Sequence, residues 1–519
     1  MLVHDFLINS AARLPDKVAL VCDGHRMTYR DLDLMTNRLA RALVEHGVGR
    51  GDRVAIFMPN SVEAVVGIFA ALKAGGVFVV INHTTKQDKL TAILNNCRAA
   101  ALIADAQIRD VHLSALLHDA PSLRVGVLCN QGAAARITHP RFIDFDAVQA
   151  QYDAAPLPRV TIDLDLACLI YTSGSTGEPK GVMSDHSNVV FASESIITYV
   201  QNVEDDVVIN MLPLSFDYGL YQLLMTFRFG GRLVLERSFA YPAAILRRIE
   251  EERVTGFPGV PTIYALLLQM DLSRYDLSSI RYLTNTAAAL PPSHVLELRR
   301  TFHWARLYSM YGLTETKRTL YLPPEEVERR PGSVGIAIPG TEVWIEDEQG
   351  NRLGPGEVGE LVVRGRHVMR GYWEAPEATA QRFRPGPLPG ERVCYTGDLF
   401  RMDADGFLYF VGRKDDIIKS RGEKVAPKEV ENVIYELPGV VAVAVVGVPD
   451  PILGQAIKAF VVTKNADLTE MQVLAHCRSR LEDFMVPRYV EFRDELPVNT
   501  SGKIARRELT QALNADRST

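Results

Sequence analysis

The sequence predicts an α/β protein with a large N-terminal domain of helix-covered sheets, a β subdomain and a small α+β C-terminal domain. Three observations support this. The first 400 residues alternate helix-like and strand-like segments, as in largely parallel sheets covered by helices. Beyond about residue 340, short strands are separated by Gly- and Pro-bearing turns. Near Gly412 the pattern changes again, and a compact unit of about a hundred residues follows.

Hydrophobic periodicity predicts each element of the N-terminal part. A period near 3.6 residues indicates amphipathic helices, and short apolar runs indicate buried strands. In order, the predicted elements are helix 32–46, strand 52–58, helix 62–74 and strand 77–81, followed in the β subdomain by strands 342–346 and 359–364.

The C-terminal unit has its own set of elements. Pro427 opens its first helix, as expected for proline in a first helical turn. The predicted order is hairpin 417–425, helix 428–437, strands 440–446 and 456–462, helix 469–481 and a last strand near Tyr489. We place the boundary near residues 413–416, which divides the chain into domains 1–413 and 414–519.

Composition narrows the functional classes. At 519 residues the chain exceeds the roughly 250–300 residues at which single cores stop growing. With 57 basic and 63 acidic residues the net charge is −6, which gives no reason to expect a nucleic acid or an anionic membrane as partner. The six cysteines form no Cys-x-x-Cys pair, which favours a reducing, cytoplasmic location. No secretory signal is visible at the start of the sequence. No membrane span is visible either, because the most apolar stretch, residues 64–81, is broken by Lys73 and two glycines.

The most informative segment is residues 171–181, Tyr-Thr-Ser-Gly-Ser-Thr-Gly-Glu-Pro-Lys-Gly, which follows an apolar run. Its glycines let the backbone approach a polyanion, and its hydroxyls can donate to phosphate oxygens. A Walker P-loop is excluded because Glu178 and Pro179 follow the second glycine, and the dinucleotide spacing Gly-x-Gly-x-x-Gly is absent. The predicted phosphate-binding residues are Thr172, Ser173, Gly174, Ser175, Thr176, Gly177 and Lys180.

This loop resembles the phosphate-binding signature of the adenylate-forming (ANL) superfamily, which groups acyl-CoA synthetases, adenylation domains of peptide synthetases and beetle luciferases. The similarity extends over nearly the whole chain in the superfamily's order of motifs. The resemblance implies an ATP-dependent acid–thiol ligase. In such an enzyme a carboxylate attacks the α-phosphate of Mg·ATP and releases pyrophosphate, and a thiol then attacks the acyl-AMP and releases AMP.

Two further motifs resemble the superfamily's nucleotide site. In Tyr-Ser-Met-Tyr-Gly-Leu-Thr-Glu, ending at Glu315, the resemblance implies that Tyr311 stacks on adenine, Thr314 contacts the α-phosphate and Glu315 binds Mg²⁺. An aromatic face suits a purine, and a carboxylate oxygen suits Mg²⁺. In Tyr-Thr-Gly-Asp, Asp398 would accept hydrogen bonds from the ribose hydroxyls.

Two C-terminal motifs complete the resemblance. The first implies that Arg413 lies near the ribose, that Asp415 is the hinge and that Gly422 lines the thiol path. The second, Asn-Thr-Ser-Gly-Lys, implies that Lys503 binds the substrate carboxylate and stabilises the transition state of adenylation, where negative charge accumulates. The resemblance further implies a mobile C-terminal domain that rotates between the two half-reactions.

The acid-binding pocket is predicted from motif positions. In peptide-synthetase adenylation domains an aspartate at the position of Asp217 pairs with the substrate ammonium. The aligned pocket positions are Asp217, Tyr218, Tyr221, Thr284, Thr286, Met310, Arg318 and Thr319. This polar, crowded set is a poor tunnel for a long alkyl chain. We therefore hypothesise a small polar carboxylic acid or an amino acid, with Asp217 facing an amino group and Arg318 an anionic or carbonyl group.

Several alternatives stay open. Asp217 and Arg318 could instead pair with each other, with the pocket floor elsewhere, and the enzyme could be an acyl-CoA synthetase for a fatty or aryl acid. The acceptor could be coenzyme A or the phosphopantetheine of an acyl or peptidyl carrier protein, used by a free-standing enzyme.

A silent nucleotide-binding scaffold would have lost Lys503, Glu315 or the phosphate loop, and all three are present. A P-loop ATPase would release ADP without depending on an acid.

Overall fold

The computed structural model describes residues 1–108, 111–132, 137, 139–173, 179–420, 423–450, 454–498, 503–506 and 508–510. The α-helices are α1 (Asp5–Arg13), α2 (Tyr29–Glu45), α3 (Val62–Lys73), α4 (Gln87–Asn96), α5 (Leu113–Asp119), α6 (Phe145–Gln151), α7 (His186–Val200), α8 (Asp217–Phe229), α9 (Pro242–Glu252), α10 (Pro261–Leu267), α11 (Pro292–Thr301), α12 (Pro376–Arg382), α13 (Pro427–Ile434) and α14 (Glu470–Arg480). Short 3-10 helices occupy Leu272–Arg274 and Pro324–Glu326.

The strands follow the same chain order. They are β1 (Val18–Cys22), β2 (His25–Thr28), β3 (Arg53–Phe57), β4 (Val77–Ile81), β5 (Ala99–Asp105), β6 (Val125–Cys129), β7 (Phe142–Asp144), β8 (Leu166–Ser173), β9 (Pro179–Asp185), β10 (Val207–Asn210), β11 (Arg232–Leu235), β12 (Gly256–Gly259), β13 (Tyr282–Asn285), β14 (Arg306–Tyr311), β15 (Leu320–Leu322), β16 (Ile336–Ala337), β17 (Thr341–Glu346), β18 (Val358–Gly365), β19 (Gly371–Tyr372), β20 (Phe383–Pro385), β21 (Arg392–Met402), β22 (Leu408–Arg413), β23 (Ile418–Ser420), β24 (Glu423–Val425), β25 (Val440–Asp450), β26 (Gly454–Thr463) and β27 (Tyr489–Phe492).

Two mostly parallel sheets form the N-terminal part. One has the strand order β16-β15-β14-β13-β12-β10-β11-β1-β2 and the other β19-β9-β8-β4-β3-β5-β6-β7. Their central strands are parallel, and antiparallel strands lie at the edges. Strand β4, Val-Phe-Val-Val-Ile, is buried along its whole length, as expected for a strand covered by helices on both faces. The largest apolar core packs residues of both sheets around α2, α3 and α8.

The β subdomain and the C-terminal unit have separate sheets and cores. The β subdomain is antiparallel, with the order β17-β18-β21-β20 and β22 on β21. In the C-terminal unit the order is β24-β23-β26-β25, with β27 parallel to β26. Helices α13 and α14 cover one face of that sheet, and the segment after β27 packs on the other face through Leu496, Ile504 and Leu509.

The α/β fold class predicted from the sequence is confirmed, and most predicted elements lie within a few residues of their observed bounds. Helix α2 begins earlier than predicted, because Thr28 and Asp31 form a capping box at its N-terminus. Helix α13 ends at Ile434 rather than at residue 437. Residue 437 is not helical because Pro438 follows it, and proline disfavours helical backbone in the residue that precedes it. Strand β25 runs to Asp450, longer than predicted, because it pairs with β26 along its whole length.

Two general features bear on chemistry. All six cysteines are free and buried, and burial raises the pKa of each thiol. Among the described helices, none is both long and apolar enough to cross a bilayer.

Candidate active site

The predicted phosphate loop connects two paired strands. Thr172 lies opposite Lys180 in the antiparallel pair of β8 and β9, so the loop leaves the end of a buried strand as the sequence predicts. Ser173 is the last residue of β8. The Lys180 ammonium lies 5.7 Å from the centre of the Tyr372 ring. Four predicted phosphate-binding residues lie outside the described part of the chain, namely Gly174, Ser175, Thr176 and Gly177.

The predicted adenine and ribose residues are in direct contact. The Tyr311 hydroxyl donates to Asp398 Oδ2 at 2.7 Å, and Arg413 Nε lies 3.4 Å from Asp398 Oδ1. Asp398 and Arg413 face each other across β21 and β22, so sheet register holds them together. Burial raises the pKa of Asp398 although Arg413 and Tyr311 oppose the shift. Residues from three separate motifs thus meet at one place.

Glu315 is buried in a polar setting that the sequence analysis does not anticipate. Its Oε1 accepts a 2.5 Å hydrogen bond from the Tyr372 hydroxyl, and its backbone carbonyl accepts from the Met369 amide. Burial alone would lower the pKa of Arg382. The negative charge of Glu315 and the contact between Arg382 and Tyr372 outweigh burial and raise that pKa overall. A single carboxylate beside a predicted phosphate site fits Mg²⁺, which is usually held by one or two carboxylates together with substrate phosphates.

The turn between β14 and β15 presents Thr314 and Glu315. Gly312 is required at its start, because a Cβ there would lie 2.0 Å from the Lys317 carbonyl oxygen. Lys317 has a left-handed backbone, with φ of 57°, which is unfavourable for a residue with a side chain. Thr319 closes the turn, since its amide donates to the Tyr311 carbonyl at 2.8 Å.

Lys503 reaches this site from the C-terminal unit. Burial and the charge of Arg413 lower the pKa of Lys503. Three carboxylates, those of Asp217, Asp398 and Glu315, attract its charge and oppose that shift. The structure therefore brings the C-terminal lysine together with residues from the nucleotide motifs and the acid-binding motif.

The predicted pocket residues surround a buried ion pair. Asp217 begins α8, where a carboxylate interacts favourably with the helix dipole, and its Oδ2 lies 3.4 Å from Arg318 Nη1. The Arg318 guanidinium carbon lies 4.5 Å from the centre of the Tyr218 ring. The Tyr218 hydroxyl lies 2.6 Å from the Thr284 carbonyl oxygen and 2.7 Å from its hydroxyl. Asp217 and Arg318 thus pair with each other, the arrangement that the sequence analysis left open.

The other pocket positions are also buried. Thr286 follows β13, and Met310 Sδ accepts from the Tyr199 hydroxyl at 2.9 Å. Among the described residues, the Tyr221 hydroxyl and the Lys317 ammonium have no hydrogen-bond partner. Burial lowers the pKa of Lys317, while Cys168 and nearby carboxylates oppose the shift. Tyr199 and Lys317, which the sequence analysis did not predict, thus contact the predicted pocket residues Met310 and Tyr221. The sequence signal that could have indicated Lys317 is the pair of consecutive cations just before a buried strand.

The two remaining predicted residues are the hinge residue Asp415 and the thiol-path residue Gly422. Asp415 is exposed in the turn that joins β22 to β23. The preceding residue is anchored, because the Lys414 amide donates to the Gly397 carbonyl at 2.9 Å and its ammonium lies 3.5 Å from Glu360. Gly422 lies outside the described residues.

Comparison with known proteins shows the family to which the chain belongs. A family model described as AMP-binding enzyme matches residues 7–373, and one described as AMP-binding enzyme C-terminal domain matches residues 429–503. A long-chain-fatty-acid–CoA ligase of Bacillus subtilis (strain 168) is 33% identical, with 98% of this chain and 94% of that protein covered. A feruloyl-CoA synthase of Amycolatopsis sp. is 35% identical, with 97% of each covered. A crystal structure of an anthranilate CoA ligase with anthranoyl-AMP has a TM-score of 0.92 at 28% identity, covering 100% of this chain and 98% of that chain.

The chain therefore belongs to the AMP-binding enzyme family, and the resemblance to the adenylate-forming superfamily is confirmed. It is an ATP-dependent, AMP-forming acid–thiol ligase, which forms an acyl-AMP and then an acyl thioester.

Proposed function

We propose that this ligase activates a small polar carboxylic acid or amino acid and transfers it to coenzyme A. The observation that supports the site most directly is the position of Lys503, whose charge interacts with Asp398, Glu315 and Asp217. These residues come from separate motifs assigned to ribose, metal and acid. A cation among them can bring together an anionic carboxylate and an anionic α-phosphate, which would otherwise repel each other.

For adenylation, we assign each nucleotide contact to one residue. Tyr311 would stack on adenine, and Asp398 with Arg413 would bind the ribose. Thr314 would contact the α-phosphate, alongside Lys180 and the phosphate loop. Glu315 would hold Mg²⁺, which supplies charge neutralisation at the phosphates when bound. Tyr372 would orient Glu315 through its 2.5 Å hydrogen bond.

For thiol transfer, we propose that domain 414–519 rotates relative to domain 1–413 about Asp415. Rotation would withdraw Lys503 and bring Gly422 to the thiol path. The exposed position of Asp415 between two anchored strands supports this role, because hinges are short segments that absorb backbone rotation. The acceptor thiol is proposed to be coenzyme A, since the relatives are named CoA ligases, and a carrier-protein phosphopantetheine is the alternative. We propose a cytoplasmic location.

The proposal for a small polar acid rests on the Asp217–Arg318 pair. Arg318 is the largest fully buried side chain in the described part of the protein. It fills space between Asp217 and Tyr218, which leaves little room there for an alkyl chain. The pair is loose, because 3.4 Å exceeds the 2.7–2.9 Å typical of charge-assisted hydrogen bonds. A substrate ammonium at Asp217 and a substrate oxygen at Arg318 could replace it.

The second candidate is an aryl acid. Two predicted pocket residues, Tyr218 and Tyr221, carry buried aromatic rings, and a third buried ring, Tyr199, contacts the predicted pocket residue Met310. One relative is named a feruloyl-CoA synthase, and a solved relative is an anthranilate CoA ligase. A flat aromatic acid with a polar substituent would use both the rings and the ion pair.

Acid-dependent exchange of pyrophosphate into ATP tests the proposal directly. The panel contains the twenty amino acids, anthranilate, ferulate, decanoate and palmitate. We expect the fastest exchange with a small polar acid and loss of about 10²-fold or more in Lys503→Ala. Fastest exchange with palmitate or decanoate would contradict the polar pocket, and unchanged exchange in Lys503→Ala would contradict the site itself. Assays with coenzyme A and with a phosphopantetheinylated carrier protein distinguish the acceptors.

A further inference from the structure

The segment that carries Lys503 is held to the C-terminal unit by a buried ion pair. Three residues after Lys503, Arg506 Nη2 lies 2.6 Å from Glu431 Oε1, and Arg506 Nε lies 3.2 Å from the same oxygen. The Glu431 side chain is 2% exposed. Three residues span at most about 10 Å, so fixing Arg506 limits where Lys503 can be.

Glu431 is itself held firmly on α13. Its Oε1 accepts from the Val445 amide of β25 at 3.0 Å, and the Lys428 ammonium lies 3.9 Å from its Oε2. The carboxylate therefore links the first helix of the C-terminal unit, the edge strand β25 of its sheet and the Lys503 segment. A hydrogen-bonded buried carboxylate of this kind leaves its partner little freedom to move.

Apolar contacts and two backbone pairings also hold the segment. Ile504 and Leu509 pack against the sheet near Phe460. Ile504 forms an isolated bridge with Val498, and the Ala505 amide donates to the Pro497 carbonyl at 2.8 Å. Dispersion contacts are non-directional, whereas the guanidinium–carboxylate pair has a defined geometry.

We propose that Glu431 is a positioning residue for the adenylation half-reaction, acting through Arg506 to hold Lys503 at the substrate. This inference rests on the proposed role of Lys503. Glu431 and Arg506 both belong to the C-terminal unit, so the pair would be kept when that unit rotates. Because Lys503 would act in adenylation and not in thiol transfer, losing the pair slows the first half-reaction selectively.

The test measures the two half-reactions separately in Glu431→Gln. Pyrophosphate exchange uses the acid that gives the fastest exchange in the panel above, and thiol transfer uses the chemically made adenylate of that acid with coenzyme A. We expect kcat for exchange to fall about 10²-fold, as for a small misplacement of a reacting group, with the KM for ATP little changed. Thioester formation from the supplied adenylate stays within about twofold.

Two further variants control for stability and geometry. Glu491→Gln removes a carboxylate of the same unit that also pairs with two cations, Lys458 at 2.6 Å and Arg493 at 2.7 Å, neither of which belongs to the segment 503–506 that carries Lys503. It leaves both half-reactions unchanged. Glu431→Asp, which keeps the charge on a shorter side chain, restores part of the exchange activity lost in Glu431→Gln.

Each result decides the question. Unchanged exchange in Glu431→Gln, or an equal fall in both half-reactions together with a lower Tm, overturns the positioning role. If Lys503→Ala also retains exchange, the proposed function fails instead, so the two failures are distinguishable.

Discussion

At the scale of single residues, the Lys503 ammonium interacts electrostatically with one guanidinium and three carboxylates. Burial and Arg413 lower the pKa of its ammonium from the ordinary value of 10.5. In the proposed role of Lys503, adenylation needs the protonated form, because the lysine would balance two anionic reactants. A rise in pH through the lowered pKa removes the proton and with it the catalytic charge.

We therefore predict that kcat/KM for pyrophosphate exchange falls on the alkaline side at a pH below 10.5. The measurement is a pH–rate profile of pyrophosphate exchange alone, in which kcat/KM refers to ATP and the acid substrate is saturating. In Lys503→Arg the guanidinium stays protonated, so the residual exchange keeps no alkaline limb. An identical alkaline limb in that variant would assign the ionisation to another group.

Candidate site residues were predictable from sequence where a motif carries its own chemistry, and their roles stay predictions. Tyr311 and Asp398 lie in recognisable motifs, and the structure joins them by a hydrogen bond. Tyr372 and Arg382 were not predicted, because nothing near them in the sequence indicates a partner. Tyr372 meets Glu315 from 57 positions away, a contact that only the assembled sheets create.

At the scale of elements, the turn between β14 and β15 depends on one small residue. Gly312 allows the chain to pass close to the Lys317 carbonyl, where a Cβ would clash at 2.0 Å. The clash would be with backbone, which cannot move aside as a flexible side chain can. The position of Thr314 and Glu315 therefore depends on Gly312.

We predict that Gly312→Ala lowers the free energy of unfolding by about 1–3 kcal/mol, the usual range for overpacking. Exchange activity falls further than the stability loss explains, because the turn that presents Glu315 is displaced. Denaturant unfolding and exchange assays measure the two effects. Gly49→Ala is the matched control, since its Cβ would lie 3.8 Å from the nearest atom, Asp52 Oδ2. Equal activities of both variants would contradict the prediction.

Elements themselves were largely predictable from periodicity, because local burial determines them. Strand β4 was predicted at its observed bounds, Val77–Ile81. Their arrangement was not predictable, because strand order depends on pairings between distant segments. Strand β10 lies between β11 and β12, while β1 from the start of the chain joins the other side of β11. No local pattern contains that information.

At the scale of the whole molecule, the C-terminal unit also contacts the N-terminal part of the chain through a pair of rings. His294 of α11 packs edge-on against Tyr435, just after α13, with ring centres 5.7 Å apart. Burial and the charge of Lys428 lower the pKa of His294 to about 4, so the ring is neutral at physiological pH. This contact belongs to the arrangement in which Lys503 reaches the nucleotide motifs.

We predict that joining His294→Cys to Tyr435→Cys with a short cleavable cross-linker holds that arrangement. Pyrophosphate exchange continues within about twofold, whereas thioester formation falls at least about 10-fold, because rotation is blocked. Cleaving the linker restores thioester formation. The single variants treated with the same reagent are controls, and full thioester formation in the linked protein would mean that the domains need not rotate.

The burial of every native cysteine has a practical consequence. Thiols that are both inaccessible and protonated react slowly with maleimides, so a cysteine introduced at the surface is modified selectively in an otherwise unaltered chain. A fluorescent donor and acceptor can therefore be attached on either side of Asp415 without replacing any of the six. Their transfer efficiency would then report, one turnover at a time, how long the enzyme stays in each arrangement.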